Sequence, residues 1–304
     1  MRFSETELIA FESGLDPLYL NQSKIPAKVI GYGEISTVFE IDGDEKNAYK
    51  RLALFENRES AEDYTNIYNA YCNYLRKSGL NLPDDETVII DNDNRATVLY
   101  IVQSKLDPKN FAHKLILNYT EQQASELLTK ICGEIEKVWK FNSQNNPDLE
   151  FALDGQLSNW VIENDYKIFY VDTSTPLFKI KDVEQLNPDL ILKTAPSFLR
   201  WILRLFFLKD VMNRYYEPRS VYMDLIANLH KEQRPDLVPI AIDIVNKYIK
   251  EPDKKFDIGE INKYYKEDKL IWTLFLAFRK FDRFLKSKIL HKRYEYILPG
   301  KIKR

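Results

Sequence analysis

The apolar and polar positions of this chain change period several times. Residues 1–24 read as a short helix and a loop. From Ala27 to Leu54, "AKVIGYGEISTVFEIDGDEKNAYKRLAL" alternates apolar and polar residues around an Asp42-Gly43-Asp44 turn. That pattern predicts two or three antiparallel strands. Over residues 58–78 the spacing of Tyr64, Ile67, Tyr68, Tyr71 and Leu75 is helical. Ser60 with Asp63 resembles a capping box for that helix, and Gly79 fits its stop. "ETVIID" and "ATVLYIVQ" are two further strands joined by an "NDN" turn at residues 92–94. A long helix follows, with Thr120 and Gln123 as its capping signature. Its apolar stripe is Ala124, Leu127, Leu128, Ile131, Ile135 and Val138, and it ends by Pro147. Residues 154–172, "DGQLSNWVIENDYKIFYVD", hold two short strands broken by the polar "END". Everything after Pro196 reads as helix, notably 196–216, 235–250 and 260–293.

The order is a β-rich first third with one helix, then a mainly helical remainder with one small hairpin. This is an α+β chain with a boundary near Gln103 to Leu106. No internal repeat or low-complexity segment interrupts it.

Composition narrows the class. The 304 residues are 44% hydrophobic and 30% charged, ordinary for a globular protein that buries a substantial core. No apolar run is long enough to cross a bilayer, and "MRFSETELIAFESG" lacks the apolar centre of a secretory signal. The two cysteines, Cys72 and Cys132, fit reduced thiols, so a cytoplasmic location is expected. A net charge of −2 gives no global field for nucleic acid. The charge is uneven: residues 279–304 hold ten Lys or Arg against Asp282 and Glu295. That end is either a solvated face with a frayed tail or a patch for an anionic partner.

Several chemistries find no motif. There is no Walker-type G-x-x-x-x-G-K-[ST], and His113, His230 and His291 lack metal-ligand spacing. Three other places draw attention. Gly31 and Gly33 bracket a turn between strands, where backbone N–H groups can approach a phosphate; a plain hairpin turn is the other reading. Val38 follows and could roof an adenine, while Lys50 near the next strand end could reach phosphates or be a solvated edge residue. In the 154–172 hairpin, Asn159 and Asp172 meet at the open end. Their oxygens could hold Mg²⁺, with Asp154 free to take a proton from a hydroxyl. Taken singly, the three are also ordinary turn residues.

Together these segments resemble the protein-kinase superfamily, and more closely its small-molecule branch, such as aminoglycoside phosphotransferases and choline kinases. "GYGEISTV" resembles G-x-G-x-x-G-x-V, with Ser36 in place of the third glycine. "AYK" resembles the A-x-K strand, "DGQLSN" the D-x-x-x-x-N catalytic loop, and Asp172 the metal-binding aspartate after it. The likeness spans about residues 28–175, in the family's order.

The resemblance implies a two-lobed fold, with an N-lobe over 1–103 and a C-lobe over 104–304. It implies ATP and Mg²⁺ as cofactors. Gly31, Gly33, Ser36 and Val38 would cover the nucleotide, and Lys50 would bind its phosphates. Glu62, or else Glu59, would pair with Lys50. Gln103 to Lys105 would link the lobes with backbone groups facing adenine. Asp154 would be the base, and Asn159 and Asp172 the metal ligands.

The departures matter. Ala152 and Leu153 precede Asp154 where His-Arg or His-Gly is usual, "DTS" replaces D-F-G, Gln156 stands where a lysine is common, and no A-P-E follows. These argue against a regulated protein kinase. They leave open a small-molecule phosphotransferase, a nucleotide-binding pseudoenzyme docking a partner, or an enzyme transferring AMP. Arg200 and Arg204, flanked by Lys179 and Arg214, either form a basic wall for an anionic small-molecule acceptor or pair with nearby acids.

Overall fold

The structure is a computed structural model. It describes residues 3–298 except 34, 92–94, 146, 164–166, 194, 197 and 207. The "NDN" turn, most of the "END" break and the last six residues of the basic end therefore lie outside the described residues.

After helix α1 (Glu5–Gly14) come β1 (Ala27–Tyr32), β2 (Thr37–Ile41), β3 (Asn47–Phe55), α2 (Arg58–Lys77), β4 (Asp85–Ile90) and β5 (Thr97–Ser104). The five strands form one antiparallel sheet in the order β1-β2-β3-β5-β4. Next are α3 (Ala112–Leu115), α4 (Glu121–Gln144), β6 (Leu149–Phe151) and the hairpin β7 (Trp160–Ile162) and β8 (Ile168–Tyr170). β9 (Phe178–Ile180) and β10 (Val183–Glu184) then join β6 in a three-stranded sheet. The rest is helical: α5 (Asp189–Lys193), α6 (Arg200–Phe206), α7 (Leu208–Tyr216), α8 (Pro218–Lys231), α9 (Val238–Val245) and α10 (Ile258–Phe284). The α+β order expected from the pattern is the order observed.

Some local signals differ from expectation. The α2 cap is Asn57, whose side chain accepts from the Ser60 N–H, while the Ser60 hydroxyl accepts from the Asn57 N–H. Ser60 thus sits inside the first turn, and Asp63 plays no part in the box. Gly79 has φ +96°, the left-handed conformation that favours glycine after a helix. Thr120 and Gln123 form the expected box on α4. The helix expected over 260–293 ends earlier, and residues 291–298 return as an irregular segment. Cys72 and Cys132 are both buried and unbridged. Among the described residues no helix is long and apolar enough to cross a membrane.

The main sheet is covered on both faces because strand residues alternate sides. Leu52, Leu54, Leu99 and Ile101 face α2 and the helical region, in the larger core. Tyr49, Ala53, Val98, Tyr100 and Val102 face the other way, under Leu8 and Phe11 of α1 and Ile297 of the C-terminal segment. Arg51 lies on that second face. Its Nε donates to Glu12 Oε2 at 2.7 Å, and its Nη2 donates to Glu12 Oε1 and Glu295 Oε2, each at 2.8 Å. Arg95 and the Tyr100 hydroxyl complete the shell of Glu12. Burial alone would raise the Glu12 pKa; Arg51, Tyr100 and Arg95 reverse this and hold it below the usual carboxylate range. The C-terminal end is therefore no frayed tail as far as it is described. Tyr294, Ile297 and Leu298 are buried, and Arg293 pairs with Glu295.

Glu184 on β10 titrates differently. Burial pushes its pKa up to about 7 although the Tyr216 hydroxyl donates to both oxygens and Lys179 lies near. Its folded pKa exceeds its ordinary one, so its contribution is full below the ordinary value and is lost as pH rises through about 7.

Two outcomes test these features. Glu12→Ala removes the two-oxygen partner of buried Arg51, leaving it Glu295, and chemical denaturation should register a loss of about 3–5 kcal/mol. Glu184→Gln should flatten the fall in melting temperature that the parent shows as pH rises through about 7, read by thermal scans across pH.

Candidate functional site

Lys50, next to Arg51 on β3, faces the opposite way, into the cleft between the sheet and the helical region. Its Nζ donates to the Val171 carbonyl at 2.5 Å. Burial depresses its pKa, and Asp172 offsets part of that penalty, with Cys72 and Asp85 contributing less. Val38 lies directly across from Lys50 in the β2–β3 register, and Gly31 pairs with Val38 in β1. These residues share one patch of sheet.

The hairpin supplies the second part. Its register pairs Trp160 with Tyr170, and the Val171 N–H donates to the Asn159 carbonyl at 2.9 Å. That bond brings Asn159 and Asp172 together at the open end. The Asn159 amide nitrogen donates to the Asp154 carbonyl at 3.1 Å, and its oxygen accepts from the Ser158 hydroxyl at 3.5 Å. The Asp154 N–H is held by the Tyr170 hydroxyl, and Asp154 Oδ1 accepts from the Gln156 N–H at 3.0 Å. Asp154 and Asp172 line one small cavity with Tyr170, Thr175, Leu177 and Tyr215.

Gly155 is a residue whose role the motif alone does not explain. A Cβ there would sit 2.8 Å from Val221 Cγ1 and 3.3 Å from Ile135 Cδ1, so the 154–159 loop crosses α8 and α4 only because this position is glycine. Two anchors from α8 fix the same loop: Asn228 Oδ1 accepts from the Leu157 N–H, and Lys231 donates to Gln156.

The glycine turn lies against this site. The Gly33 N–H donates to the Ser36 carbonyl, and Ser36 Oγ is 3.4 Å from Ser174 Oγ. Ile35 is buried in the main core. Glu34 lies outside the described residues. The cavity beside Asp154 and Asp172 measures only about 10 Å³, room for roughly one water.

Two expectations need correction, and a third question that the sequence left open, the basic wall, is decided for pairing. Glu62 does not face Lys50. It points outward from α2, more than half exposed, 4.0 Å from Arg58. Glu59, the weaker choice, is exposed too. The face of α2 toward the site carries tyrosines instead. Tyr64 donates to the Ser174 carbonyl, Tyr68 to Asp85, and Tyr71 to the Ala152 carbonyl. Among the acids near Lys50, Asp172 has the larger influence; Asp85 on β4, held by Tyr68 and Arg76, has a smaller one.

The linking segment also differs. The Gln103 side chain donates to Thr173 at 3.0 Å, the Ser104 N–H to Asp84, and the Lys105 N–H to Lys46. Lys105 Nζ pairs with Glu40. The Ser104 and Lys105 N–H groups are thus engaged by the protein, not turned to an adenine site.

The basic wall is dispersed by pairing. Arg200 donates to the carbonyls of Ala195 and Lys193, Arg204 pairs with Asp189, Lys179 with Glu150, and Arg214 lies over the Tyr264 ring.

Residues 23–283 match the model of a family described as "Family of unknown function (DUF6206)". The chain belongs to that family. No curated protein matches it. Among solved structures, a complex described as "WaaP in complex with acyl carrier protein" is similar over 80% of this chain and 88% of that one, at 10% identity and a TM-score of 0.41. A likeness that distant says nothing about what this DUF6206 member does. Its own side chains carry the chemistry.

The buried α2 tyrosines are a signal that periodicity passes over. A tyrosine on an apolar stripe needs a partner for its hydroxyl. Spacing shows the stripe; only the fold shows that the partners are the Ser174 and Ala152 carbonyls and Asp85.

Gly155→Ala tests how tightly the loop is built. It should cost about 1–3 kcal/mol in chemical denaturation, while Gly133→Ala, a glycine with nothing within 4 Å of a Cβ, should not destabilise the chain.

Proposed function

We propose that the chain is an ATP- and Mg²⁺-dependent phosphotransferase acting on a small-molecule hydroxyl. The observation that supports this most is the convergence of Lys50 on Val171 and Asp172 while Asp154 shares a cavity with Asp172. Residues 1–103 form the nucleotide side and 104–304 the acceptor side in this reading.

The donor set suits the cofactors. Among the described residues no cluster of three His, Cys, Asp or Glu could cage a metal. Mg²⁺ does not need one: it takes one or two carboxylates with water and phosphate oxygens. Asp172 and the side-chain oxygen of Asn159 would supply such a set. Mg²⁺–ATP, when bound, supplies the transferable phosphoryl group and neutralises its charge.

The protein's tasks are then positional. Lys50 holds phosphate oxygens in place of its present carbonyl partner. Screened from water, it attracts an anion more strongly than an exposed lysine would. Gly31, Gly33, Ser36 and Val38 cover the nucleotide once the loop lifts from Ser174. Asp154 orients the acceptor hydroxyl and takes its proton, with its carboxylate braced by the Gln156 N–H.

The closed loop favours one rival reading. Ile35 in the core and Ser36 against Ser174 fit a kinase-shaped pseudoenzyme that engages a partner without turnover. Transfer of AMP by the same groups is the third chemistry to separate.

Labelled ATP incubated with a metabolite pool distinguishes them. ADP with a labelled acceptor supports phosphotransfer, and AMP-labelled product supports AMP transfer. Nucleotide binding without turnover supports the pseudoenzyme. For phosphotransfer, Asp154→Ala should lower turnover by about 10² to 10⁴ with nucleotide binding retained. Asp172→Ala should weaken Mg²⁺–ATP binding itself, read by calorimetry. Equal turnover in Asp154→Ala and the parent would remove Asp154 from the chemistry.

A further inference from the structure

Helix α10 half-buries Trp272, Phe275 and Leu276 over its second half but leaves a second apolar stripe in water. Its first half is ordinary: Ile261 is buried, and Tyr264 and Tyr265 pack on the main core. Beyond that, Arg279 and Asp282 are the residues turned inward and buried. Leu270, Leu274, Phe281 and Phe284 keep about half or more of their surface in water, and Ile271 and Phe278 are exposed beside them. Their three- and four-residue spacing puts them on one side of the helix. The face continues onto the neighbouring segment, where the Phe198 ring packs edge-on against Phe278 and Phe281 and Trp201 is exposed. A contiguous apolar surface of this kind marks an interaction site.

Charge selects the occupant. Residues 263–292 hold nine lysines and arginines against Glu267, Asp268 and Asp282. Lys263, Lys266, Lys269, Lys280, Lys288 and Lys292 are exposed, and Glu267 is the one fully exposed acid among them. A second copy would bring the same lysines against one another. An anionic surface with an apolar interior satisfies both the lysines and the phenylalanines.

We propose that the outer face of α10 is a peripheral membrane-docking surface for anionic phospholipid. The helix lies in the plane of the bilayer, its apolar stripe sinks to the acyl boundary, and its lysines meet the headgroups. This surface stands apart from the Lys50–Asp172 site, and the inference is independent of the phosphotransfer reading.

Co-sedimentation of the full chain with vesicles tests it. The parent should pellet with phosphatidylcholine vesicles containing phosphatidylserine. It should bind at least about tenfold less to phosphatidylcholine alone and should be released by added salt. Leu270→Glu with Leu274→Glu should lower binding by at least about tenfold, and Lys266→Glu with Lys280→Glu should do likewise. Unchanged thermal unfolding of both variants keeps the comparison one of binding. Absence of pelleting with either vesicle, or a Leu270/Leu274 variant that binds like the parent, overturns the proposal. So does a concentration-dependent dimer in sedimentation equilibrium that the same variant dissolves, because the face then belongs to a second copy.

Discussion

Two cations sit side by side and buried on the strand β3, and their need for partners organises the molecule. Lys50 and Arg51 are consecutive, so the pleat sends them to opposite faces of the sheet. A buried charge left alone costs several kcal/mol. Arg51 meets Glu12 from near the start of the chain and Glu295 from near its end. Lys50 meets the Val171 carbonyl and the field of Asp172. One strand thus ties both chain ends to one side of the sheet and the hairpin segment to the other.

The candidate site inherits its rigidity from that second tie. Residues 171–174 are held from the sheet by Lys50 and Gln103, and from α2 by Tyr64 and Tyr68. Residues 154–159 are held by Tyr170 and by α8. What closes over them is lighter, a turn resting through Ser36 on Ser174 with Ile35 tucked beneath. Lys50 has a neutral carbonyl as its direct partner, and a phosphate is the stronger acceptor for a desolvated ammonium. A nucleotide would therefore compete for Lys50 with the contact that draws the cleft shut.

Much of this was legible along the chain, and the misses have physical causes. The strands β1 to β5 and the helices α2 and α4 are long enough to show their period. The grouping of Asn159 with Asp172 follows from a local hairpin. The β6–β9–β10 sheet was not visible, because its strands are two or three residues long and β6 pairs with a strand almost thirty residues on. Glu62 was misplaced although the stripe of Tyr64, Tyr68 and Tyr71 already marked the inward side. A residue two before Tyr64 lies about 200° round the helix from it. Asp85 could not be singled out, since β4 gives no local sign that its carboxylate is held by Tyr68 and Arg76 of α2.

The sequence by itself determined the element order, the faces of α2 and α4, and the spacing that draws Asp154, Asn159 and Asp172 to one hairpin. Those are properties of backbone geometry within an element, and period and spacing report them directly. Tertiary structure alone decided which charges meet. It chose Glu12 and Glu295 for Arg51 and put tyrosines, not Glu62, against the site. It folded the basic C-terminal segment back over the sheet while leaving the apolar side of α10 to solvent. Counter-charges and covering surfaces come from residues far apart in the chain, and they are selected by burial, which no local pattern encodes.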